Sequence, residues 1–393
     1  MDFRFTPEQE AFRQEIRQWI KQELPPDWEG APDDYDPEHI EFTKQIVKKL
    51  GTKRWLALHW PKEYGGLGKS PIEHLIYKEE MTYHRVPGID MGTGGITWVG
   101  PTLLALGTEE QKKAHLFRIA AGEEFWCTGY SEPESGSDMA AAKCRAVAHG
   151  DEYIINGQKL WTSHAHIADW CWLMVRTGPQ EPKHRGLSTV ILDMKTPGVT
   201  VRPLINMAGI HYFNEVFFDD VHIPRSNLVG GENRGWYTAM YALDFERTAG
   251  VVQVTSTRRL LDDLVRFAKE KKLNGEPLAK DPVIRGKLAQ LALEVEVGRP
   301  LAYRIVWMQT KGLIPNYESS MLKVYSFELM HRILRTGTQI MRLYGQLEMG
   351  SKWAPLKGRI ENALLSSVGS FTAAGTHEIQ RNIIATRGLG LPR

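Results

Sequence analysis

The sequence predicts an α+β protein of three parts, with an N-terminal α-helical domain at 1–122, a middle β domain at 123–232 and a C-terminal four-helix bundle at 233–393. Two observations lead to this order. Apolar residues recur at helical spacing in the first and last parts of the chain. Between them, short runs rich in Val, Ile and aromatic residues alternate with turn residues, which is typical of strands.

The N-terminal part contains recognisable helix starts. Thr6 is a candidate N-cap, Pro7 occupies the first helical position, and Gln9 completes a capping-box pattern. The same pattern recurs from Thr108 to Gln111. Further helical runs are predicted at 40–50 and 71–84.

The middle part contains two strong hairpin signals, His149-Gly150-Asp151 and Asn156-Gly157. Later strands are predicted at 170–177, 187–194, 199–204 and 214–223. Strands at this spacing indicate a small barrel or sandwich. From Gly235 the period is helical again, with runs at 236–272, 282–311, 318–345 and 376–385 that are long enough for a bundle.

Composition excludes several classes of protein. The formal net charge is +2, from 49 basic and 47 acidic residues without a long block of one sign, so the basic patch of a nucleic-acid binder is missing. Cys127, Cys144 and Cys171 have no C-x-x-C spacing, which argues against disulfides and a zinc site and indicates a reducing compartment. Without an apolar signal core or a membrane-length apolar run, we predict a cytoplasmic protein.

Short catalytic motifs are absent from the sequence. It has no G-x-S-x-G elbow, no phosphate-binding P-loop, no H-E-x-x-H, and no G-x-G-x-x-G that opens a helix after a strand. His164 and His166 are two residues apart and could share a face of a strand as metal ligands do. Because no carboxylate or thiol has suitable spacing nearby, a structural role is favoured and no metal is predicted.

The stretch YALDFERTAG (241–250) places Asp244, Glu246 and Arg247 in a helix that is apolar on two opposite faces. Such a helix is normally buried, so its charges need an explanation. They could form a buried ion pair between helices. Alternatively, one carboxylate could lie in an apolar pocket that raises its pKa and makes it a general base. Periodicity alone does not choose between these.

Three further motifs bear on this choice: YSEPESGSD at 130–138, GQKLWTS at 157–163 and GTHEIQR at 375–381. In order and spacing they closely resemble the acyl-CoA dehydrogenase family. The resemblance covers nearly the whole chain and includes FFDDVHIPRSNLVG (217–230) and the final RNIIATRGLGLPR. It implies a β-barrel as the middle domain, FAD as cofactor and an acyl-CoA thioester as substrate.

The resemblance also implies roles for individual residues. Those matching flavin-binding positions are Thr128, Tyr130, Ser131, Ser137, Trp161, Thr162, Ser163, Thr376, His377 and Glu378. Those matching substrate-side positions are Ser137, Asp244, Arg247, Ala374 and Gly375. An aromatic wall with short hydroxyls suits a redox cofactor because it shapes the site without adding charge.

One departure from the family pattern concerns the catalytic base. Many members carry a glutamate immediately before the Gly-Thr of the last motif, where this chain has Ala374, which cannot accept a proton. A minority branch, with isovaleryl-type, long-chain and steroid-side-chain enzymes, places the glutamate on the first bundle helix, in a sequence similar to Asp-Phe-Glu-Arg. The resemblance therefore implies that Glu246 is the base.

On this interpretation Glu246 removes the α-proton of an acyl-CoA while flavin N5 accepts the β-hydride, and a trans-2-enoyl-CoA is the product. The Ala374 N–H would donate to the thioester oxygen. An electron-transfer flavoprotein would reoxidise the flavin, and a homotetramer or an α2β2 heterotetramer is expected. The family's Arg-x-x-Phe stretch is replaced by KKLNGE (271–276), and Thr128 replaces a common aromatic, so adenine-side contacts stay open.

Two alternatives to an active dehydrogenase stay open on the same fold. One is a catalytically silent subunit that completes a heteromer. The other is a flavin monooxygenase. The chain length, branching or steroid character of the acyl group is not predicted.

Overall fold

The computed structural model describes residues 4–31, 33–89, 94–245 and 249–392. The helices are α1 Pro7–Glu23, α2 Ile40–Thr52, α3 Pro71–Tyr83, α4 Gly100–Leu106, α5 Glu109–Ala121, α6 Gly235–Phe245, α7 Ala249–Glu270, α8 Pro282–Thr310, α9 Tyr317–Met341, α10 Arg359–Ser370 and α11 His377–Ile383. The strands are β1 Trp126–Gly129, β2 Arg145–His149, β3 Glu152–Lys159, β4 Trp170–Arg176, β5 Leu187–Asp193, β6 Val199–Ile205, β7 His211–Pro224, β8 Leu228–Val229, β9 Lys272–Leu273 and β10 Glu276–Pro277. This order confirms the predicted fold class, with helical N- and C-terminal parts and a sheet in the middle.

The chain forms two compact units. The helical unit comprises Met1–Pro32, Ser70–Val86 and Arg247–Arg393, and the sheet unit comprises Asp33–Lys69 and Pro87–Glu246. The N-terminal helices are therefore shared between them, since α1 and α3 belong to the helical unit and α2, α4 and α5 to the sheet unit. The domain boundaries near residues 122 and 232 stay a prediction.

The sheet unit is built around eight strands in the order β6-β7-β3-β2-β4-β5-β8, with β1 added in parallel to β4. The hairpin predicted at His149-Gly150-Asp151 is confirmed, because β2 and β3 pair antiparallel across it. The hairpin predicted at Asn156-Gly157 is wrong. Both residues lie inside β3, where the register with β7 shifts in a bulge between Ile155 and Gly157.

Gly157 explains why an Asn-Gly pair stands within a strand. Its φ is +148°, and a Cβ at this position would lie 2.8 Å from the Cα of Cys144. Glycine is therefore required because another backbone approaches closely, and no chain reversal is involved.

The helical unit buries a core between α7, α8, α9 and α10, in which Leu264, Leu291, Leu329, Ile333 and Ile360 are nearly inaccessible. Helix α10 was not predicted. The run predicted at 236–272 corresponds to α6 and α7, and residues 246–248 between them lie outside the described structure. The helix starts at Thr6 and Thr108 are confirmed as capping boxes with Gln9 and Gln111.

A charge network inside the helical unit connects three segments of the chain. Asp263 on α7 is almost fully buried and contacts Arg85 at 2.6 Å and Arg259 at 3.1 Å. Glu29 lies 3.3 Å from Arg85 and 3.3 Å from Arg359. Burial alone would raise the pKa of Asp263, but the guanidiniums of Arg85 and Arg259 outweigh it and hold that pKa below its ordinary value.

The sequence also predicted that the chain has no membrane-length apolar run and that its three cysteines form no disulfides. Across the part of the chain that the structure describes, no helix is both long and apolar enough to cross a membrane. The thiols of Cys127, Cys144 and Cys171 are buried and unbridged. Burial raises the pKa of Cys144 to about 11, which keeps this thiol protonated and poorly reactive.

Candidate active site

Two of the sequence motifs are joined by hydrogen bonds in the sheet unit. The Lys159 ammonium donates to the backbone oxygen of Tyr130 at 3.1 Å. The Leu160 N–H donates to the backbone oxygen of Ser131 at 2.9 Å. The loop after β1 and the loop after β3 therefore lie side by side, which brings Thr128, Tyr130 and Ser131 close to the segment that begins at Trp161.

A buried ion pair holds this junction. Lys159 is fully inaccessible and lies 2.7 Å from the Glu132 carboxylate, which is only 9% exposed. The same carboxylate accepts the backbone N–H of Lys143 at 2.6 Å and of Cys144 at 3.0 Å. A buried carboxylate with three donors is rigidly placed, so the Tyr130-Ser131 loop has a fixed backbone. Neither Glu132 nor Lys159 was singled out from the sequence, although both lie inside the quoted motifs.

The segment from Trp161 to Ser163 presents an aromatic surface and a hydroxyl edge. Trp161 has φ +60° and is 57% exposed, and its ring system makes a T-shaped contact with Phe213 at a centroid distance of 5.8 Å. A non-glycine residue with positive φ and an exposed indole is held there by its surroundings. Ser163 follows and is partly exposed.

The backbone of Thr162 is fixed by Asn214. Its N–H donates to the Asn214 oxygen at 3.0 Å, and its own oxygen accepts the Asn214 N–H at 3.0 Å and the Asn214 side-chain amide at 3.0 Å. The Thr162 hydroxyl is buried and has no hydrogen-bond partner among the described residues. A buried hydroxyl left without a partner costs free energy. Other buried hydroxyls, such as those of Ser135 and Thr189, share this property, so it is the position of Thr162 between Trp161 and Ser163 that makes it a candidate for contact with a bound molecule.

The first motif contributes a second polar and aromatic edge. The Tyr130 hydroxyl accepts the indole N–H of Trp172 at 3.1 Å, and its ring stacks on Trp98 at a centroid distance of 6.0 Å. Thr128 is the register partner of Trp172 between β1 and β4 and is partly exposed. Ser137 lies farther along the same connection and is exposed.

Together these groups fit a flavin. The exposed indole of Trp161 gives a face for an aromatic ring system, and the partnerless hydroxyl of Thr162 gives a polar contact without charge. Ser163 in the same segment, and Tyr130 and Ser131 on the neighbouring loop, add further neutral polar groups. Neutral donors and acceptors beside an aromatic surface are what an isoalloxazine ring requires of its protein.

The histidines that follow Ser163 are explained by packing. His164 is buried, with its Nε2 3.2 Å from an Asp33 oxygen. Burial would raise the pKa of Asp33, but the hydrogen bond from His164, the charge of that ring and the Tyr35 N–H together outweigh burial and lower that pKa. The ring of His166 stacks on His211 at a centroid distance of 3.9 Å, and its pKa falls to about 4, through burial first and His211 second. Among the described residues no three His, Cys, Asp or Glu side chains form a group that could hold a metal.

The third motif lies in the helical unit. Thr376 caps α11, because its hydroxyl accepts the Ile379 N–H at 3.2 Å. His377 is buried against the Phe371 ring at a centroid distance of 4.7 Å, and burial lowers its pKa. Its Nε2 has no hydrogen-bond partner in the described structure, whereas Glu378 is exposed in the first turn of α11.

Before α11 the chain turns through Ala374 and Gly375, with φ +50° and +80°. The ammonium of Lys323 on α9 donates to the backbone oxygens of Ala373, Ala374 and Gly375. Lys323 could not be found from the sequence, because it lies 50 residues from Ala373 and no local pattern marks the contact.

The predicted base and its neighbours are outside the described residues. Glu246 and Arg247 fall in the segment 246–248, and the backbone of Asp244 is described as part of α6 but its side chain is not. Their roles stay a prediction.

Comparison with protein families gives three matches along the chain. The models described as acyl-CoA dehydrogenase N-terminal, middle and C-terminal domain match residues 6–123, 127–221 and 233–389. The three domains occur in the order in which the helices and strands were found.

Individual proteins show the same likeness over full length. Acyl-CoA dehydrogenase FadE26 of Mycobacterium tuberculosis is 34% identical, with 100% of this chain and 99% of that protein covered. The ChsE4–ChsE5 complex from M. tuberculosis contains a chain that is 33% identical, with a TM-score of 0.89 and full coverage of both chains. The Tcur3481–Tcur3483 steroid ACAD is 31% identical, with a TM-score of 0.88 and full coverage of both chains.

Proposed function

The chain belongs to the acyl-CoA dehydrogenase family and is an FAD-containing oxidoreductase, and we propose how its own residues carry out acyl-CoA dehydrogenation. The observation that carries the proposal is the junction in the sheet unit. There Trp161 and the partnerless Thr162 hydroxyl are held beside the Tyr130-Ser131 loop by the buried Glu132–Lys159 pair.

The loops of the sheet unit hold the flavin ring in this proposal. Trp161 stacks against it, while Thr128, Tyr130, Ser131, Thr162 and Ser163 supply neutral hydrogen-bonding groups. Thr376, His377 and Glu378 are assigned to the same cofactor, and Ser137 to the contact with cofactor and substrate. When bound, FAD supplies the acceptor for the hydride that leaves the β-carbon.

Glu246 is proposed as the base that removes the α-proton. The proposal is supported by the loop before α11, where the exposed Ala374 has no side-chain group that could accept a proton. Its N–H has no hydrogen-bond partner within the described residues, so it is free to donate to the thioester oxygen as negative charge develops there. Asp244, Arg247 and Gly375 are proposed as substrate contacts.

The substrate is an acyl-CoA, and we propose a bulky acyl group. A base on the first bundle helix occurs in family members that act on branched, long-chain or steroid-side-chain thioesters. One similar protein, at 31% identity, is named a steroid ACAD. Screening should therefore compare straight, branched, dicarboxylic and steroid-tail acyl-CoAs.

Assembly into a homotetramer or an α2β2 heterotetramer is proposed, with an electron-transfer flavoprotein as the electron acceptor. Several large apolar side chains on α8 and directly after it are exposed, and burying them against another subunit would remove this apolar surface from water. They are Leu293, Val297, Trp307, Leu313 and Ile314. The cytoplasm is proposed as the location, since the three buried thiols are unbridged.

The base assignment is tested by Glu246→Gln, with Asp244→Asn as the matched carboxylate control. We expect Glu246→Gln to retain FAD and to slow anaerobic flavin bleaching by the best acyl-CoA roughly 10²- to 10⁴-fold, the usual contribution of a general base. Asp244→Asn should have a smaller effect. Bleaching at the parental rate in Glu246→Gln would show that the base is another group.

The same experiment separates the two alternatives. A silent subunit would retain FAD weakly and would not bleach with any acyl-CoA until its partner is added. A monooxygenase would not need Glu246 and would form an oxygen adduct of the reduced flavin, which stopped-flow absorbance detects.

A further inference from the structure

The loop before α11 is held by one cation. The Lys323 ammonium lies 2.8 Å from the backbone oxygen of Ala374 and 2.6 Å from that of Gly375, and it also contacts the oxygen of Ala373. The Gln380 side-chain amide reaches the oxygens of Ala374 and Gly375 from 3.3 Å. Three successive carbonyl groups therefore point toward Lys323.

This arrangement sets the direction of the N–H groups. In a trans peptide the carbonyl of one residue and the N–H of the next point in opposite directions. The N–H groups of Ala374, Gly375 and Thr376 therefore point away from Lys323. The described residues provide no hydrogen-bond acceptor for any of them.

The backbone of the loop does not hold this shape by itself. Ala374 has φ +50°, a conformation that costs a non-glycine residue free energy and needs support from neighbouring groups. Lys323 supplies that support, because hydrogen bonds from an ammonium are stronger than those between neutral groups.

We propose that Lys323 is a positioning residue for the dehydrogenation step. By drawing the carbonyls of Ala373, Ala374 and Gly375 to one side, it fixes the Ala374 N–H in the direction needed by the thioester oxygen. The inference rests on the proposed function in one respect, the role of that N–H. When the α-proton leaves, the C–H electron pair is delocalised onto the thioester oxygen, and a donor fixed beforehand stabilises this charge without reorganisation.

The first test needs no ligand. The His377 N–H donates across the loop to the Phe371 oxygen at 3.0 Å and is therefore protected from hydrogen exchange while the loop is closed. In Lys323→Met we expect its exchange to be roughly 10-fold faster, with partial recovery in Lys323→Arg. Lys311→Met, which removes an exposed lysine of the same unit, is the control and should leave this exchange unchanged.

The second test measures the acidity of a bound ligand. A 3-oxoacyl-CoA loses its α-proton to give an enolate, so the pH at which the bound ligand ionises reports the donors around its thioester oxygen. In Lys323→Met that pH should rise by about one to two units, which is a 10- to 100-fold loss of acidity of the bound ligand. The affinity for the saturated acyl-CoA should change less than about twofold. The probe is the 3-oxo derivative of the acyl-CoA that binds best.

The outcomes separate the two proposals. Faster exchange at His377 with unchanged ligand acidity would make Lys323 purely structural and overturn the inference, although the proposed function would survive. Unchanged exchange in Lys323→Met would also overturn it. If no acyl-CoA binds the parental protein with FAD and its partner present, the proposed function and this inference both fail.

Discussion

The buried pair between Lys159 and Glu132 allows a quantitative prediction. Replacing Lys159 by Met keeps most of the side-chain volume but removes the ammonium, and with it the contacts at 2.7 Å to Glu132 and 3.1 Å to the Tyr130 oxygen. The carboxylate is then left 9% exposed with two backbone donors only. Both losses act on the Tyr130-Ser131 loop, which is proposed to contact the flavin.

The loss of stability expected in Lys159→Met is large because the Glu132 carboxylate is buried. Removing one partner of a buried ion pair costs about 3–5 kcal/mol. The two remaining N–H donors place Lys159→Met at the lower end, about 3 kcal/mol, since hydrogen bonds to a charged group contribute roughly 1.5–3 kcal/mol each. For a unit of this size that corresponds to a melting temperature lower by roughly 6–12 °C.

The assay is thermal and urea unfolding of the protein without added FAD, followed by titration with FAD. Lys143→Met is the matched control, because Lys143 pairs with Glu134 in the same segment but both side chains are exposed. Its effect should be much smaller. In the double variant Lys159→Met/Glu132→Gln the buried charge is gone, so part of the lost stability should return.

Equal melting temperatures for Lys159→Met and Lys143→Met would contradict a stabilising role for the buried pair. So would a further loss of stability when Glu132→Gln is added to Lys159→Met. Either result would mean that the buried carboxylate does not need its cation.

Two further predictions concern a partnerless hydroxyl and a buried carboxylate. Thr162→Val removes a buried hydroxyl without a partner, so the free energy of unfolding without FAD should be unchanged or higher by about 1 kcal/mol. The affinity for FAD, measured by fluorescence titration, should fall. An unchanged affinity would exclude a contact between this hydroxyl and the flavin. Because the pKa of Asp263 is lowered by its arginines, its contribution to stability is present above its ordinary value of 3.8 and is lost as the pH falls below it. In Asp263→Asn the free energy of unfolding, measured with urea, should therefore fall less steeply with decreasing pH in the acid range than in the parental protein. An unchanged slope would contradict this role of Asp263.

Much of the fold was readable from local sequence. Capping at Thr6 and Thr108 needs only residues three positions apart, and the His149-Gly150-Asp151 turn needs only its neighbours. Prediction failed where contacts between residues distant in sequence determine the local conformation. The Asn156-Gly157 pair looks like a turn locally, but the approach of Cys144 makes it a strand bulge. Helix α10 was missed entirely.

In the candidate site, too, local motifs were found from the sequence and distant contacts were not. The flavin-side residues and Glu246 were named from motifs, and family matches over the full chain support the activity. The residues that hold those motifs in place were not found. Lys159 and Glu132 join two loops 27 residues apart, and Lys323 reaches a turn 50 residues away.

Residue types and near neighbours were enough to predict the helix–sheet–helix order, most of the individual helices and strands, and the absence of a proton acceptor at Ala374. The folded structure was needed to establish which groups are joined, that the Thr162 hydroxyl has no partner among the described residues, and in which direction the loop N–H groups point. These properties depend on contacts between distant segments, and burial determines how strongly such contacts act.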